Sequence, residues 1–142
     1  MRGPAPARSA FGRWCREKLR NADTDQFGHV NNAAMASLFE AGRMELFGDP
    51  AIAPQLGGAH PAVVRLALDF HRELFYPGEV AVGTRVARVG TRSVDIVQGL
   101  FDAQGCVASA EAVCVFLDPA GPRAAVISGE LRQRLMAQGE PT

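Results

Sequence analysis

The stretch Asp23-Thr24-Asp25-Gln26-Phe27-Gly28-His29-Val30-Asn31-Asn32 gathers most of the side chains in this chain that can do chemistry together. Asp25 carries a carboxylate that can attack a carbonyl carbon or activate a water toward it. Asn31 or Asn32 can cap a helix that starts here, by accepting from an orphan backbone N–H. A helix start offers free N–H groups and the positive end of the helix dipole. Such a terminus can hold a carbonyl oxygen as negative charge develops on it. Acyl transfer or hydrolysis is therefore chemically reasonable. The same residue types also make turns and caps, and composition alone favours that plainer role.

Other chemistries find less support. His29 is a possible metal ligand in isolation, but His60 and His71 stand apart without ligand spacing, so no metal is expected. No Gly-x-Ser-x-Gly elbow and no phosphate-binding glycine loop occur, and no cofactor is expected. Lys+Arg and Asp+Glu each number 15, so a nucleic-acid footprint has no basic excess behind it. Lys18 is the only lysine, an arginine bias that runs through the whole chain. Cys15, Cys106 and Cys114 form an odd set without metal spacing, which suggests free thiols in a reducing cytosol and hence a cytoplasmic protein. No run of 18 apolar residues predicts a membrane span, and the N-terminus lacks the apolar core of a secretory signal.

The elements that must position Asp25 follow from periodicity. At 142 residues, 47% hydrophobic and 21% charged, the chain is expected to fold as one domain over residues 11–142, after a flexible lead-in over 1–10. Phe11–Ala22 reads as a first strand, with a helix as the other option. Met35, Leu38, Phe39, Gly42 and Leu46 take the i, i+3, i+4, i+7 spacing of one helical face. Ala36, Ala41, Met44 and Phe47 on the other side predict a helix buried nearly all round, of about 24 Å. Glu40 and Arg43 are placed to pair on its surface. Gly48-Asp49-Pro50 ends it. Ala51–Pro61 is a Pro/Gly-rich connection, long enough to be expected as a pocket wall. Four strand-like runs follow: Val64–Phe70, Val80–Val86, Val94–Leu100 and Val107–Leu117, separated by turns at Tyr76–Glu79, Gly90–Arg92 and Asp102–Gly105. Ser128 is expected to cap a terminal helix, Gly129–Gln138. The fold class is α+β, with a five-stranded antiparallel sheet able to curl around a long central helix.

Asp23–Asn32, followed by Glu40-Ala41-Gly42-Arg43, resembles the opening motif of the hot-dog-fold acyl-CoA thioesterases, in the 4-hydroxybenzoyl-CoA thioesterase-like branch. Leu68-Asp69-Phe70, Tyr76-Pro77-Gly78-Glu79, Gly90–Ser93 and Asp102–Ala108 extend the resemblance, which covers about Phe11 to Asp118. It implies a hot-dog fold and hydrolysis of an acyl-CoA to a free acid and CoA. It implies that Asp25 is the catalytic carboxylate, as base or as nucleophile, and that the backbone N–H of Asn32 polarises the thioester carbonyl. Gly28, His29 and Asn31 would shape and line the site. Arg92 and Ser93, with Arg88 as a weaker candidate, would meet the CoA tail at a subunit interface, in a homodimer or homotetramer. Met35 stands where relatives often carry an aromatic, which leaves the shape of the acyl pocket open. Met35, Leu38, Phe39 and Phe70 would admit an aliphatic or aromatic acyl group. Hydrolysis of acyl carrier protein thioesters, or acyl-CoA binding without catalysis, are the alternatives.

Overall fold

Side chains two apart on a strand share a face, and in this chain one such set is buried throughout. It comprises Val80, Val82, Thr84 and Val86, then Val94, Ile96, Gln98 and Leu100, then Ala108, Ala110, Ala112, Cys114 and Phe116. The computed structural model describes residues 3–139. The strands are β1 (Arg13–Lys18), β2 (His60–Phe70), β3 (Glu79–Val89), β4 (Ser93–Asp102) and β5 (Gly105–Leu117). They form one antiparallel sheet in the order β1-β3-β4-β5-β2. Helix α1 (Asn32–Phe47) lies on the buried face, and α2 (Gly129–Met136), capped by Ser128, closes the far end. This is the hot-dog arrangement.

Helix α1 begins where the side chain of Asn31 accepts from Ala34 N at 2.6 Å. It buries Met35, Leu38, Phe39, Gly42, Arg43, Leu46 and Phe47. It is not buried all round: Ala33, Ser37, Glu40 and Met44 form an exposed stripe, because the sheet of a single chain covers only one side. Gly42 sets the distance between helix and sheet. A Cβ there would lie 2.7 Å from Val82 Cγ1 and 2.8 Å from both Gln98 Nε2 and Thr84 Oγ1. The buried Gln98 donates to Phe39 O at 2.8 Å and to Thr84 Oγ1 at 3.0 Å. Its Oε1 accepts from Arg43 Nη1 at 3.1 Å. Arg43 therefore turns inward to the sheet, where the sequence suggested a surface pair with Glu40; the helical face that carries Met35, Leu46 and Gly42 also carries Arg43.

Ala51–Pro61 packs at the far end of the molecule. Ile52 is fully buried there, and a short 3-10 turn, Ala53–Leu56, follows it. It is a wall of a second core cluster, built around Leu46, Ile52, Phe116 and Leu135, and not of the cleft at Asp25.

The segment before β1 lies against the outer face of the sheet. Gly83 and Gly99 are cross-strand partners, and a Cβ on either would come within 3.0 Å of the Phe11 ring. Phe11 fills that notch and packs edge-on against Trp14 and Phe101. The Arg8 guanidinium stacks over both of those rings and donates to Asp102 O at 2.8 Å. Within the expected lead-in, Arg8 thus holds defined contacts and Gly3 N donates to Asp69 Oδ2 at 3.3 Å, while residues 1 and 2 lie outside the described part. On the other side, β2 is an edge strand with Val63, Val64 and Leu66 at 41%, 61% and 39% exposure.

Candidate active site

The loop before α1 is built around Asp25. Its N–H donates to His29 O at 2.8 Å, and Gly28 N donates to Asp25 O at 3.2 Å. Its side-chain Oδ1 accepts from Phe27 N at 2.8 Å and from His29 N at 3.2 Å. Gly28 makes this reversal possible at φ +83°, a conformation that disfavours any side chain. Two residues earlier, Asp23 does a different job. It is buried, and its Oδ2 accepts from Arg20 N while its Oδ1 accepts from Arg20 Nη2, both at 2.8 Å. Those bonds hold the Asp23 carboxyl below the usual carboxylate range. Asp23 O accepts from Asn31 N at 2.9 Å, which ties the loop to the helix cap.

A second segment, His71–Phe75, faces this loop. Val30 N donates to Leu74 O at 2.8 Å. The His29 ring meets the Phe75 ring edge-on at 4.7 Å, and His29 Nε2 lies 3.5 Å from Glu73 Oε2. The segment is anchored behind by His71 N and Arg72 N, which share Val107 O. Arg72 makes a two-pronged bond to Asp102, at 2.9 and 2.5 Å. Each partner shifts the other: the bond raises the Arg72 pKa and lowers that of Asp102.

Between loop, helix start and this segment lies a cleft of about 320 Å³. Asp25, His29 and Asn32 stand on one side, and Val30, Met35, Phe70 and Leu74 supply its apolar surface. The N–H groups of Asn32 and Ala33, at the first turn of α1, have no acceptor within the helix. A second groove of about 610 Å³, toward Gly78, Glu79 and the Asp102–Gln104 turn, shares Arg72, Glu73 and Leu74 with it.

Of the residues singled out in sequence, Asp25, His29, Asn32, Met35 and Phe70 line this cleft, and Gly28 and Asn31 sit in the loop that carries Asp25. Arg92 and Ser93 do neither. They sit at the β3–β4 turn, beside the second core cluster, and Arg92 donates to Ala124 O at 3.0 Å. Arg88 is at the same end, 4.0 Å from Asp95. Strand β4 alone spans about 30 Å between Ser93 and Asp102. Leu38 and Phe39 lie in the core beneath the cleft. Arg72, Glu73 and Leu74 were not singled out in sequence. They carry no motif, and only the pairing of β2 with β5 brings them opposite Asp25. Among the described residues no three His, Cys, Asp or Glu side chains gather as a metal-binding group. No described helix is long and apolar enough to cross a membrane.

The family model described as thioesterase-like superfamily matches residues 19–135. No curated protein matches the chain. Among solved structures, a thioesterase of Thermus thermophilus, crystallised with coenzyme A and zinc, is 30% identical, with 91% of this chain and 95% of that one covered at a TM-score of 0.80. A Pseudomonas aeruginosa protein is 26% identical over 96% of this chain and 98% of that one, with a TM-score of 0.83. The YbaW probable thioesterase of Escherichia coli, 21% identical over 89% and 98%, shares the fold with a TM-score of 0.77.

Proposed function

The chain belongs to the thioesterase-like superfamily, and on that premise we propose that it hydrolyses an acyl-CoA thioester to the free acid and CoA. The observation that carries this reading is Asp25. Its carboxylate is fixed by two backbone N–H groups at one oxygen, on a cleft that also opens on the first turn of α1. The thioester carbonyl oxygen accepts from Asn32 N–H, where the helix dipole favours negative charge. Asp25 Oδ2 then either attacks the carbonyl carbon, forming an acyl anhydride that a water hydrolyses to the free acid, or takes a proton from a water that attacks directly; in both the C–S bond breaks and the CoA thiolate leaves. Gly28 holds the turn that presents the carboxylate. His29 and Asn31 keep the loop docked on its two neighbours. A CoA complex in a relative 30% identical favours CoA over a carrier protein as the thiol partner. The carrier-protein reading uses the same residues, and parallel assays on acyl-CoA and acyl carrier protein separate the two.

The assembly belongs to this reading. We propose that the β2 edge pairs with β2 of a second copy, in a dimer or in a tetramer built from dimers. Antiparallel pairing sets the Phe70 end of one β2 beside the His60 end of the other. The partner's β3–β4 turn then comes to the same end as this chain's Asp25, three strands away or about 14 Å laterally. Arg92 and Ser93 of one copy can thus serve the CoA tail bound at the other. The three free thiols accord with a cytoplasmic location.

Asp25→Asn tests the catalytic assignment. The expected result on an acyl-CoA panel is a fall in kcat of at least about 100-fold with the fold retained. Hydrolysis at the parent rate would remove Asp25 from the chemistry, and a parent that binds acyl-CoA without turnover would make this a binding module.

A further inference from the structure

The titratable groups on the Asp25 cleft are Asp25, His29, His71, Arg72 and Glu73, and they are not evenly satisfied. Arg72 and the two histidines already have partners: His71 Nε2 bonds Ser109 Oγ at 2.8 Å. His29 Nε2 lies 3.5 Å from Glu73 Oε2. Arg72 has one terminal nitrogen bonded to Asp102 Oδ2 at 2.9 Å. The other is bonded to Asp102 Oδ1 at 2.5 Å and to Gly105 O at 3.4 Å. Among the described residues Asp25 has no cation; its carboxylate meets only N–H groups of the backbone. The remainder of the surface is Asn32 at the helix start and the apolar Val30, Met35, Phe70 and Leu74. Among the described residues the cleft thus sets two carboxylates, Asp25 and Glu73, against one arginine, whose terminal nitrogens are already engaged by Asp102. Resting on the thioesterase reading, we propose that the acyl group accepted here is uncharged, and that Asp102 is the residue that enforces this by occupying Arg72.

The physical reason is desolvation. A carboxylate at the far end of an acyl chain loses its water on this apolar surface and finds no counter-ion. It also adds a negative charge to a cleft already lined by Asp25 and Glu73, and like charges set together are strongly unfavourable. A methyl group in the same place gains from burial instead. Were Arg72 not engaged, its planar fork would suit a carboxylate at both prongs. Asp102 is well built to prevent that. Its Oδ1 also accepts from Gln104 N at 2.8 Å and Gly105 N at 3.2 Å, so the β4–β5 turn holds the carboxylate in place. The bond to Arg72 keeps Asp102 ionised below the usual carboxylate range.

The test uses two unreactive thioethers of equal length, S-hexyl-CoA and S-(5-carboxypentyl)-CoA, with binding read by titration calorimetry. Both carry the same CoA, so its phosphates cancel in the comparison. The parent is expected to bind the hexyl compound about 100-fold more tightly. Asp102→Asn keeps an Oδ1 acceptor for the turn and removes the charge that engages Arg72, so the gap narrows to about tenfold or less. Equal binding of the two compounds by the parent overturns the selection for uncharged groups. A gap that stays undiminished in a folded Asp102→Asn variant, checked by circular dichroism, overturns the role of Asp102. Hydrolysis of hexanoyl-CoA by the parent is measured beside these. Its absence together with the full gap overturns the thioesterase reading and leaves the charge rule standing.

Discussion

Asp23 and Asp25 stand two residues apart in one loop and face opposite demands. Asp23 is buried and bonded through both oxygens to Arg20, once to its backbone and once to its side chain. Asp25 is exposed, with Oδ1 bonded to two backbone N–H groups and Oδ2 available for the proposed chemistry. The difference is one of partners, since the residue type is the same. It carries a pH consequence. The Asp23 pKa is lowered, first by the Arg20 side chain and then by its N–H. A depressed native pKa means that the stabilisation is present above the unfolded value, about 3.9, and is lost as pH falls through the native value. Asp23→Asn should therefore lower Tm at pH 7, and the gap to the parent should close as pH falls below about 4. A gap that stays constant from neutral pH down through the acid range would mean that charge at Asp23 contributes nothing.

At the scale of elements, the site depends on how closely α1 lies on the sheet. The helix carries Asn32 at its start, so any shift of its axis moves the proposed carbonyl donor relative to Asp25. Gly42 permits the close approach, facing Val82, Thr84 and Gln98. Gly42→Val forces side-chain carbons into that contact and displaces Gln98 from its bonds with Phe39 O and Arg43. Overpacking of this kind costs about 1–3 kcal/mol, and a disturbed buried bond adds about 1 kcal/mol more. Urea unfolding should show a loss of about 2–4 kcal/mol, with kcat reduced in the fraction that remains folded. A variant as stable as the parent would show that the helix has slack over the sheet.

For the whole molecule, the decisive feature is the unpaired edge of β2. Val63, Val64 and Leu66 expose apolar surface on a strand whose outer edge pairs with no other strand among the described residues. Net charge is zero, so no general repulsion keeps copies apart. The outer face of the sheet is already covered by Phe11 in the Gly83–Gly99 notch and by Arg8 over Trp14 and Phe101. Light scattering at micromolar concentration should give at least a dimer for the parent. Val64→Lys, a charge on the edge, should lower that mass toward the monomer and reduce kcat/KM for acyl-CoA together with it. A parent of monomeric mass with full activity would mean that each chain holds a complete site.

Sequence alone determined what is local. A cap at Asn31 or Asn32, the span of α1 and the glycine at the Asp25 turn rest on bonds within a few residues, and the strands show in the period-two alternation of their side chains, so residue type and spacing reveal them; the structure decided for Asn31. The motif around Asp25 was legible for the same reason. Tertiary structure decided what depends on distant segments meeting. Glu73 and Arg72 reach the cleft because β2 pairs with β5, a contact between residues far apart in the chain. Arg43 turns to Gln98 rather than Glu40 because its face of the helix looks at the sheet. Phe11, read as the start of the first strand, fills a notch made by two glycines on neighbouring strands. Arg92 and Ser93 keep their place in the sequence pattern yet lie a strand's length from Asp25. A pattern records which residues recur along the chain, and only the sheet order converts that into which of them share a wall.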